Sequence, residues 1–475
     1  MQRSYLAVLP VILLILQSCQ SSKKITADPA VQPEKTYLVK NVNIITMNDA
    51  GTVIENAHVL IAGNRIQSIN GSSPDKDAVV IDGKGKWLIP GLADMHVHNL
   101  ADVNLADSYP TKGATLFTDT QDFMLLYIAN GVTTVLELSG RVEHFAQRNE
   151  IVKHKVIGPR IALAMLIEGE GTSGNIANTP EQGRQTVRLA KAQGYEFIKV
   201  YSRLNVETFK AIVDEAFRQG LKVVGHIPNA FKGKLEDVFV PHFDMVAHAE
   251  EYAKQSETFS DADAERFARL ARSSGTWLTP TLVTMERIAG QARSLDEVTN
   301  QTAFRYVHPL MQSKWLTSNN YHKGSDPERI AYFEKLIAFH GKLVRAFKEA
   351  GVPMVAGTDA GTSGVIWGFS LHDELELLVK AGLSSGEALA SATRLPAIWL
   401  GISDKTGTVE TGKLADLVLL DANPLDNISN VRKIAGVFAN GEWIDRKRIH
   451  EMLARLAEKN KANQNKFEWK NRAAY

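Results

Sequence analysis

The sequence predicts an α/β protein: a (β/α)8 TIM barrel with a small composite β domain built from both flanks of the barrel. Three observations carry this prediction. Between residues 90 and 395, short apolar runs alternate with helix-length amphipathic stretches, the rhythm of a parallel sheet wrapped by helices. β-rich segments lie on both sides of that region, at 36–89 and 396–446, and neither is large enough to enclose a core of its own. His and Asp residues recur at the C-terminal ends of the apolar runs, the face on which barrels carry their sites. An open doubly wound sheet is the alternative architecture for the same rhythm.

Composition agrees with a globular chain and excludes several function classes. Of 475 residues, 44% are hydrophobic and 23% charged, which rules out intrinsic disorder. Lys and Arg number 54 against 53 Asp and Glu, so there is no general field for nucleic acid. The single Cys excludes a disulfide within the chain.

The elements follow in order. Residues 1–18 read as a leader: Arg3 is the only charge before the apolar run Tyr5–Leu16, which is shorter than the roughly 20 residues a membrane-spanning helix needs. The run ends in Leu16-Gln17-Ser18-Cys19, which resembles the lipobox of bacterial lipoproteins, with Cys19 as the lipidated residue. A plain secretory signal is the alternative. Residues 19–35 are polar and read as a tether. Gln20, and not Asp, follows the Cys, which in a Gram-negative cell favours the cell envelope's outer membrane, facing the periplasm. In 36–89, Tyr37-Leu-Val-Lys-Asn-Val-Asn-Ile-Ile alternates, and His58-Val-Leu-Ile before Gly63-Asn64-Arg65-Ile66 signals a hairpin.

The barrel region contains eight runs: Gly91–His98, Thr133–Leu138, Arg160–Ala164, Glu196–Tyr201, Leu221–His226, Asp244–His248, Thr276–Leu282 and Pro353–Asp359. Pro180–Gln193, Asn205–Gln219 and Asp261–Ser274 read as intervening helices. The seventh-to-eighth connection, 283–349, is long enough to be a helical insertion, and two amphipathic helices follow the eighth run at 370–380 and 385–393. The β pattern returns in 396–446 with Asp416-Leu-Val-Leu-Leu-Asp and the Asn440-Gly441 turn, and 447–475 reads as a C-terminal helix with a solvated, charged face.

The candidate chemistry sits at strand ends. In Asp94-Met95-His96-Val97-His98 the two imidazoles are two residues apart on a strand and point the same way. His226, His248 and Asp359 close the fifth, sixth and eighth runs. In a barrel all five converge on one mouth, and imidazole with carboxylate suits zinc and similar divalent ions. A structural His pair is the alternative for His96 and His98 alone. Lys199, in Phe197-Ile198-Lys199-Val200-Tyr201, points into the barrel. An ammonium there faces cations and loses hydration. A neutral Lys can add carbon dioxide, and the resulting carbamate has two oxygens with which to bridge two metals. Pairing of Lys199 with a barrel carboxylate such as Asp94 is the alternative. Tyr201 points inward one step nearer the mouth, Glu168–Thr179 is Gly-rich and lid-like, and Trp367 and His372 follow the eighth run as pocket candidates.

These motifs resemble the metal-dependent amidohydrolase superfamily. They are Pro90-Gly91-Leu92-Ala93-Asp94-Met95-His96-Val97-His98, Ile198-Lys199-Val200, Gly225-His226, Ala247-His248, Gly357-Thr358-Asp359-Ala360-Gly361 and Gly412-Lys-Leu-Ala-Asp416. Gly368-Phe-Ser-Leu-His372-Asp-Glu374-Leu resembles the imidazolonepropionase-like branch, which includes Xaa-Pro dipeptidases. Glu137 stands where that branch commonly has an R-D-x-G sequence. The resemblance implies His96, His98 and Asp359 on one metal, His226 and His248 on a second, and carboxylated Lys199 bridging them. It implies hydrolysis of an amide bond in a dipeptide or N-acyl amino acid through a metal-bridging hydroxide, with Asp359 carrying the proton and Tyr201 donating to the oxyanion. A mononuclear deaminase or a lactone or ester hydrolase is the alternative within the superfamily, and a non-catalytic ligand-binding lipoprotein the alternative outside it. Expected partners are a small-molecule substrate, the membrane through the lipid anchor and, in a homo-oligomer, copies of the chain.

Overall fold

A computed structural model describes residues 35–71, 77–100, 118–170 and 175–474. The expected leader, Cys19 and nearly all of the tether lie outside the described residues, as does 171–174 of the lid-like stretch.

Seven parallel strands form the barrel wall: Leu92–Val97, Val132–Glu137, Arg160–Glu168, Phe197–Val200, Lys222–Gly225, Phe243–Ala247 and Trp277–Thr279, paired in sequence order. Helices Pro180–Gln193 and Asp261–Ser274 span the expected residues, and Asn205 caps helix Val206–Arg218 by accepting from the Thr208 N–H. The seventh strand is shorter than expected. It stops at Thr279 because Pro280 has no N–H, Thr281 takes a left-handed φ of 50°, and Leu282 begins a helix.

The eighth run is not a continuous strand. It closes the barrel through single bridges, Met354 to Leu278 and Ala360 to Val97. Backbone bonds from Met95 N to Ala356 O and from Asp359 N to His96 O complete the seam. The ladder is interrupted because a side chain takes over: the Asp94 carboxylate accepts the Thr358 N–H at 2.9 Å. Between the seventh strand and this seam, helices Leu282–Arg293, Pro309–Thr317 and Pro327–Glu349, with shorter turns between them, form the expected insertion. Helix Arg394–Leu400 runs across the expected boundary at 395.

The second sheet is built from both ends of the chain. Its order is Glu442–Asp445, Ile434–Ala439, Leu417–Leu420, Trp87–Pro90, Thr36–Ile45, Val53–Ala62 and Arg65–Ile69, with Val79–Asp82 also on Thr36–Ile45. The two flanks meet where Leu417–Leu420 pairs antiparallel with Trp87–Pro90. They share a core that includes Val42, Ile44, Ile61, Leu88, Leu417, Leu419 and Phe438. Arg160, at the start of the third barrel strand, ties this sheet to the barrel through Asp416 at 2.7 Å.

Within the barrel the period-two alternation assigns three roles on one strand. Phe197 stacks on Trp399 at the base, with ring centroids 5.1 Å apart. Lys199 is buried in the middle, and Tyr201 reaches the cavity at the mouth. Two glycines let backbones approach where ligand residues follow. A Cβ on Gly225 would stand 2.1 Å from the Val200 carbonyl oxygen, and one on Gly357 would stand 2.4 Å from Thr279 Oγ1.

Helix Pro327–Glu349 buries Phe333, Leu336, Phe339, Leu343 and Phe347, and with them His340. Both His340 ring nitrogens lack a hydrogen-bond partner among the described residues, and burial pushes the imidazole down to about 3. Below pH 6.5 the unfolded chain therefore takes up a proton that the folded chain refuses, until the pH approaches 3. Stability should fall with acid at up to about 1.4 kcal/mol per pH unit from this residue. Denaturant melts of wild type and His340→Leu at pH 7 and pH 4.5 should show a smaller acid loss in the variant; equal losses would refute the assignment.

Candidate metal centre

The mouth of the barrel gathers its ligands from four wall elements. Among the described residues, the ligand atoms of His96, His98 and Asp359 all lie within 4.8 Å of one another. Asp359 Oδ1 is 3.2 Å from His96 Nε2 and 3.0 Å from His98 Nε2, while Oδ2 accepts from Thr362 Oγ1. His248 lies tilted against His96 with ring centroids 4.5 Å apart, and the His226 ring centroid is 4.9 Å from that of His248. The same cavity, about 490 Å³, is lined by all four histidines, Lys199, Tyr201 and Asp359. His248 and Asp359 both hold left-handed backbones, with φ of 76° and 57°, a strain that non-glycine residues sustain when the surrounding structure fixes them.

Two imidazoles have Nδ1 engaged, which leaves Nε2 for the centre, and a third has a carboxylate facing its Nδ1. His226 Nδ1 is 2.9 Å from Glu251 Oε1, His248 Nδ1 is 2.8 Å from Thr281 Oγ1, and His98 Nδ1 faces Glu137 Oε1 at 3.7 Å. Such outer partners set the tautomer and orientation of metal-ligating histidines. Burial holds His226 and His248 below the ordinary imidazole range and puts His96 at about 3, so these rings are neutral donors. Burial also opposes charge on His98, but Asp359 and Glu137 beside it raise the ring to about 9. Burial would raise Asp359, yet His96, His98 and His248 pull it well below the usual carboxylate range. Glu251 is likewise drawn down, against burial, to about 2 by His226 and Lys254.

Lys199 is 1% exposed, and its Nζ has no hydrogen-bond partner among the described residues. Burial lowers it to about 8, more than the raising effect of Asp359 and Glu251 restores. Asp94, the carboxylate considered as its partner, is fully committed elsewhere. Its Oδ1 accepts from the His96 and Thr358 N–H groups, and its Oδ2 from Thr358 Oγ1 at 2.6 Å. The donor set thus fits divalent metal: three neutral imidazoles, a fourth ring, His98, beside an ionised carboxylate, and a buried amine whose Nζ has no hydrogen-bond partner among the described residues.

Two pocket candidates lie elsewhere. Trp367 is fully buried, stacks near Trp315 and donates from Nε1 to the His98 carbonyl at 2.9 Å, so it supports a ligand from behind. His372 is buried on helix Phe369–Lys380 with Nε2 2.9 Å from the Asn130 carbonyl. Neither lines the cavity: Trp367, ahead of that helix, is held against the His98 carbonyl, and His372 against the Asn130 carbonyl. Other residues enter without having been singled out as site residues. Glu137, noted above only as a departure from a family pattern, has both oxygens bonded, to the Ser139 and Asn99 N–H groups. Glu251 stands three residues after His248 but partners His226, on the neighbouring strand end, so its spacing in the chain does not reveal it. Tyr321, Met285 and Ile288 reach the cavity from the insertion, and Glu250 and Lys254 from the turn after His248; nothing in their local sequence marks Tyr321.

A model of the Amidohydrolase family matches residues 87–444. An uncharacterised protein of Mycobacterium tuberculosis is 25% identical over 351 residues, which cover 69% of this chain and 83% of that protein. Among solved structures, a Xaa-Pro dipeptidase with methionine bound in its active site aligns at TM-score 0.65 and 22% identity, over 86% of this chain and 100% of that one. A bottromycin amidohydrolase aligns at TM-score 0.70 and 21% identity, over 90% of each chain. At these identities the two structures establish likeness of fold.

Removing one outer partner tests the centre. Glu251→Gln keeps the shape but withdraws the charge that orients His226, so divalent-metal affinity should drop about 10- to 100-fold. Competition against a chelator measures it, and an unchanged affinity would show that Glu251 plays no part in holding the ligand.

Proposed function

Because this chain belongs to the amidohydrolase family, a family of metal-using hydrolases, we propose that it is a binuclear enzyme cleaving the amide bond of a dipeptide or N-acyl amino acid. The observation that carries the binuclear reading is the buried, unpartnered Nζ of Lys199 among the ligand side chains. As a neutral amine it can add carbon dioxide, and the carbamate oxygens satisfy what the amine leaves open. His96, His98 and Asp359 would hold one divalent ion, zinc by donor type, and His226 and His248 a second, with the Lys199 carbamate shared. When bound, such ions acidify water and polarise a carbonyl oxygen.

The chain's own groups supply the remaining chemistry. Asp359 stays ionised at neutral pH, so it can accept a proton from water and deliver it to the leaving nitrogen. That delivery favours an amide substrate, since an amine leaves poorly without a proton and an ester alcohol needs it less. Burial, then the charges of Asp359 and Glu168, raise the Tyr201 phenol. It therefore keeps its proton and can donate to the oxygen on which negative charge develops. Met285 and Ile288 give one wall an apolar character suited to a side chain. The names of the two structural neighbours, a dipeptidase and an amidohydrolase, support a peptide-like substrate.

The same reading includes an envelope location. Cys19 in the lipobox-like segment would carry the acyl anchor, and Gln20 after it favours the outer membrane facing the periplasm, where small peptides from import or cell-wall turnover are at hand. Among the described residues no helix is long and apolar enough to cross a membrane.

Two measurements test this function. Metal-reconstituted protein should carry two ions per chain and release free amino acid from a panel of dipeptides and N-acyl amino acids. Lys199→Ala should lose most metal and activity, with partial rescue by short carboxylic acids; a variant with two metals and full turnover refutes the carbamate. Wild type that cleaves no small amide but opens lactones or deaminates a heterocycle refutes the substrate class. For the anchor, Cys19→Ala should move the protein from the membrane fraction to the soluble fraction or leave it unprocessed. Mass spectrometry finding a different mature N-terminus without acyl chains would overturn that assignment.

A further inference from the structure

We propose that Lys254 is the receptor for a free carboxylate on the amino acid that leaves, which makes the enzyme selective for substrates ending one residue after the scissile bond. The inference rests on the amide-hydrolase reading above and adds the group that enforces it.

Among the described residues, two lysines line the cavity: Lys199, buried among the ligands, and Lys254, exposed and the one that keeps an ammonium in this reading. Lys254 is not a free-swinging surface lysine. Its Nζ is 2.7 Å from Glu251 Oε1, the same oxygen that stands 2.9 Å from His226 Nδ1. One carboxylate oxygen therefore separates this cation from a ligand ring. Glu251 is itself fixed, since its Oε2 accepts from the Ile227 N–H and the residue is 1% exposed. A pinned cation has already lost the side-chain freedom that usually offsets an ion pair.

The cavity places the cation beside the ligands. In an N-acyl amino acid only nitrogen and Cα separate the scissile carbonyl carbon from the carboxylate carbon, at most about 4 Å away. Lys254 lines the same cavity as His226, His248 and Asp359, so a carboxylate tied that closely to the scissile carbon stays within the space this ammonium faces. An ammonium also has donors to spare. Glu251 takes one at 2.7 Å, while Glu250 Oε1 stands at 3.5 Å, a weak contact at the rim of the same cavity. An incoming carboxylate can displace Glu250 and leave the Glu251 contact in place. Longer chains and amidated ends bring no charge to this point and leave Lys254 with Glu250.

The experiment compares N-acetyl-leucine with N-acetyl-leucinamide, chosen because Met285 and Ile288 line the cavity. Calorimetric binding to the metal-reconstituted enzyme should favour the free acid by about tenfold or more, the scale of a charge-assisted hydrogen bond. Lys254→Met should abolish that preference, and Lys254→Arg should retain it. Glu250→Gln should tighten binding of the free acid, because a competitor for the ammonium is gone. The ratio between the two ligands is the readout, since Lys254 also steadies Glu251 and absolute rates will move with it. Equal affinity of wild type for acid and amide overturns the proposal, as does a Lys254→Met variant that still prefers the acid. Hydrolysis is scored separately: acid-selective binding without cleavage of either compound, or of any dipeptide, would refute the amide-hydrolase reading while sustaining the role of Lys254.

Discussion

Asp94 stands at the seam where the barrel closes, and the arrangement of the mouth depends on it. Its carboxylate takes the N–H of His96 on the first strand and both the N–H and hydroxyl of Thr358 on the eighth segment. One buried acid thereby fixes the separation between the His96–His98 pair and Asp359. A backbone ladder across the seam would have bonded Thr358 regularly and held Asp359 in extended geometry. With Thr358 bonded to a side chain, Asp359 is free to turn into its left-handed conformation, and its Oδ1 meets both imidazoles. Burial raises Asp94 to about 7 despite these donors, which shows how much desolvation the seam imposes on it.

The same logic extends outward in layers. Glu251 and Thr281 each restrain an imidazole by a hydrogen bond at its outer nitrogen, and Glu137 sets its charge 3.7 Å from a third. Two of the three are buried acids, and a buried carboxylate is tolerated when its oxygens are bonded. Glu137 has the Asn99 and Ser139 N–H groups, and Glu251 has Ile227 and Lys254. Trp367 then fixes the His98 carbonyl from behind. Ligand geometry is therefore held from strands, from the turn after the sixth strand and from the helical region beyond the eighth segment together. Rigid placement of this kind is what a metal centre requires, because small displacements of ligand atoms change affinity steeply.

The parts of this architecture that were legible in sequence are those where one short segment carries the signal. Alternation on single strands placed Lys199 and Tyr201 on one face, and His96, His98, His226, His248 and Asp359 line the cavity that their strand-end positions imply. The composite sheet was legible because each flank alone had too little apolar surface to fold. What was not legible depends on contacts between distant segments. Nothing local in Pro353–Asp359 says that an Asp 264 residues away will take the Thr358 N–H. Trp367 and His372 follow the eighth run, as pocket residues often do, but they pack inward, on the His98 and Asn130 carbonyls. Tyr321 reaches the cavity only because the insertion folds back over the mouth, a tertiary event without periodicity to betray it.

The composite sheet also sets an order of assembly. Strand Trp87–Pro90, which leads directly into the metal-ligating first strand, is flanked on one side by Thr36–Ile45 and on the other by Leu417–Leu420. Its second neighbour is synthesised more than three hundred residues later. Until that strand arrives, Leu88 and Ile44 lack the apolar cover of Leu417 and Leu419, each such side chain being worth about 1.5–3 kcal/mol when buried. A pairing across so long a loop is slow to form and exposes an unsatisfied edge meanwhile. The growing chain cannot finish this sheet residue by residue as it emerges; the last strands must come back to meet the first. Folding of this domain is thus a whole-chain event, in which the first strands wait, half covered, for the last.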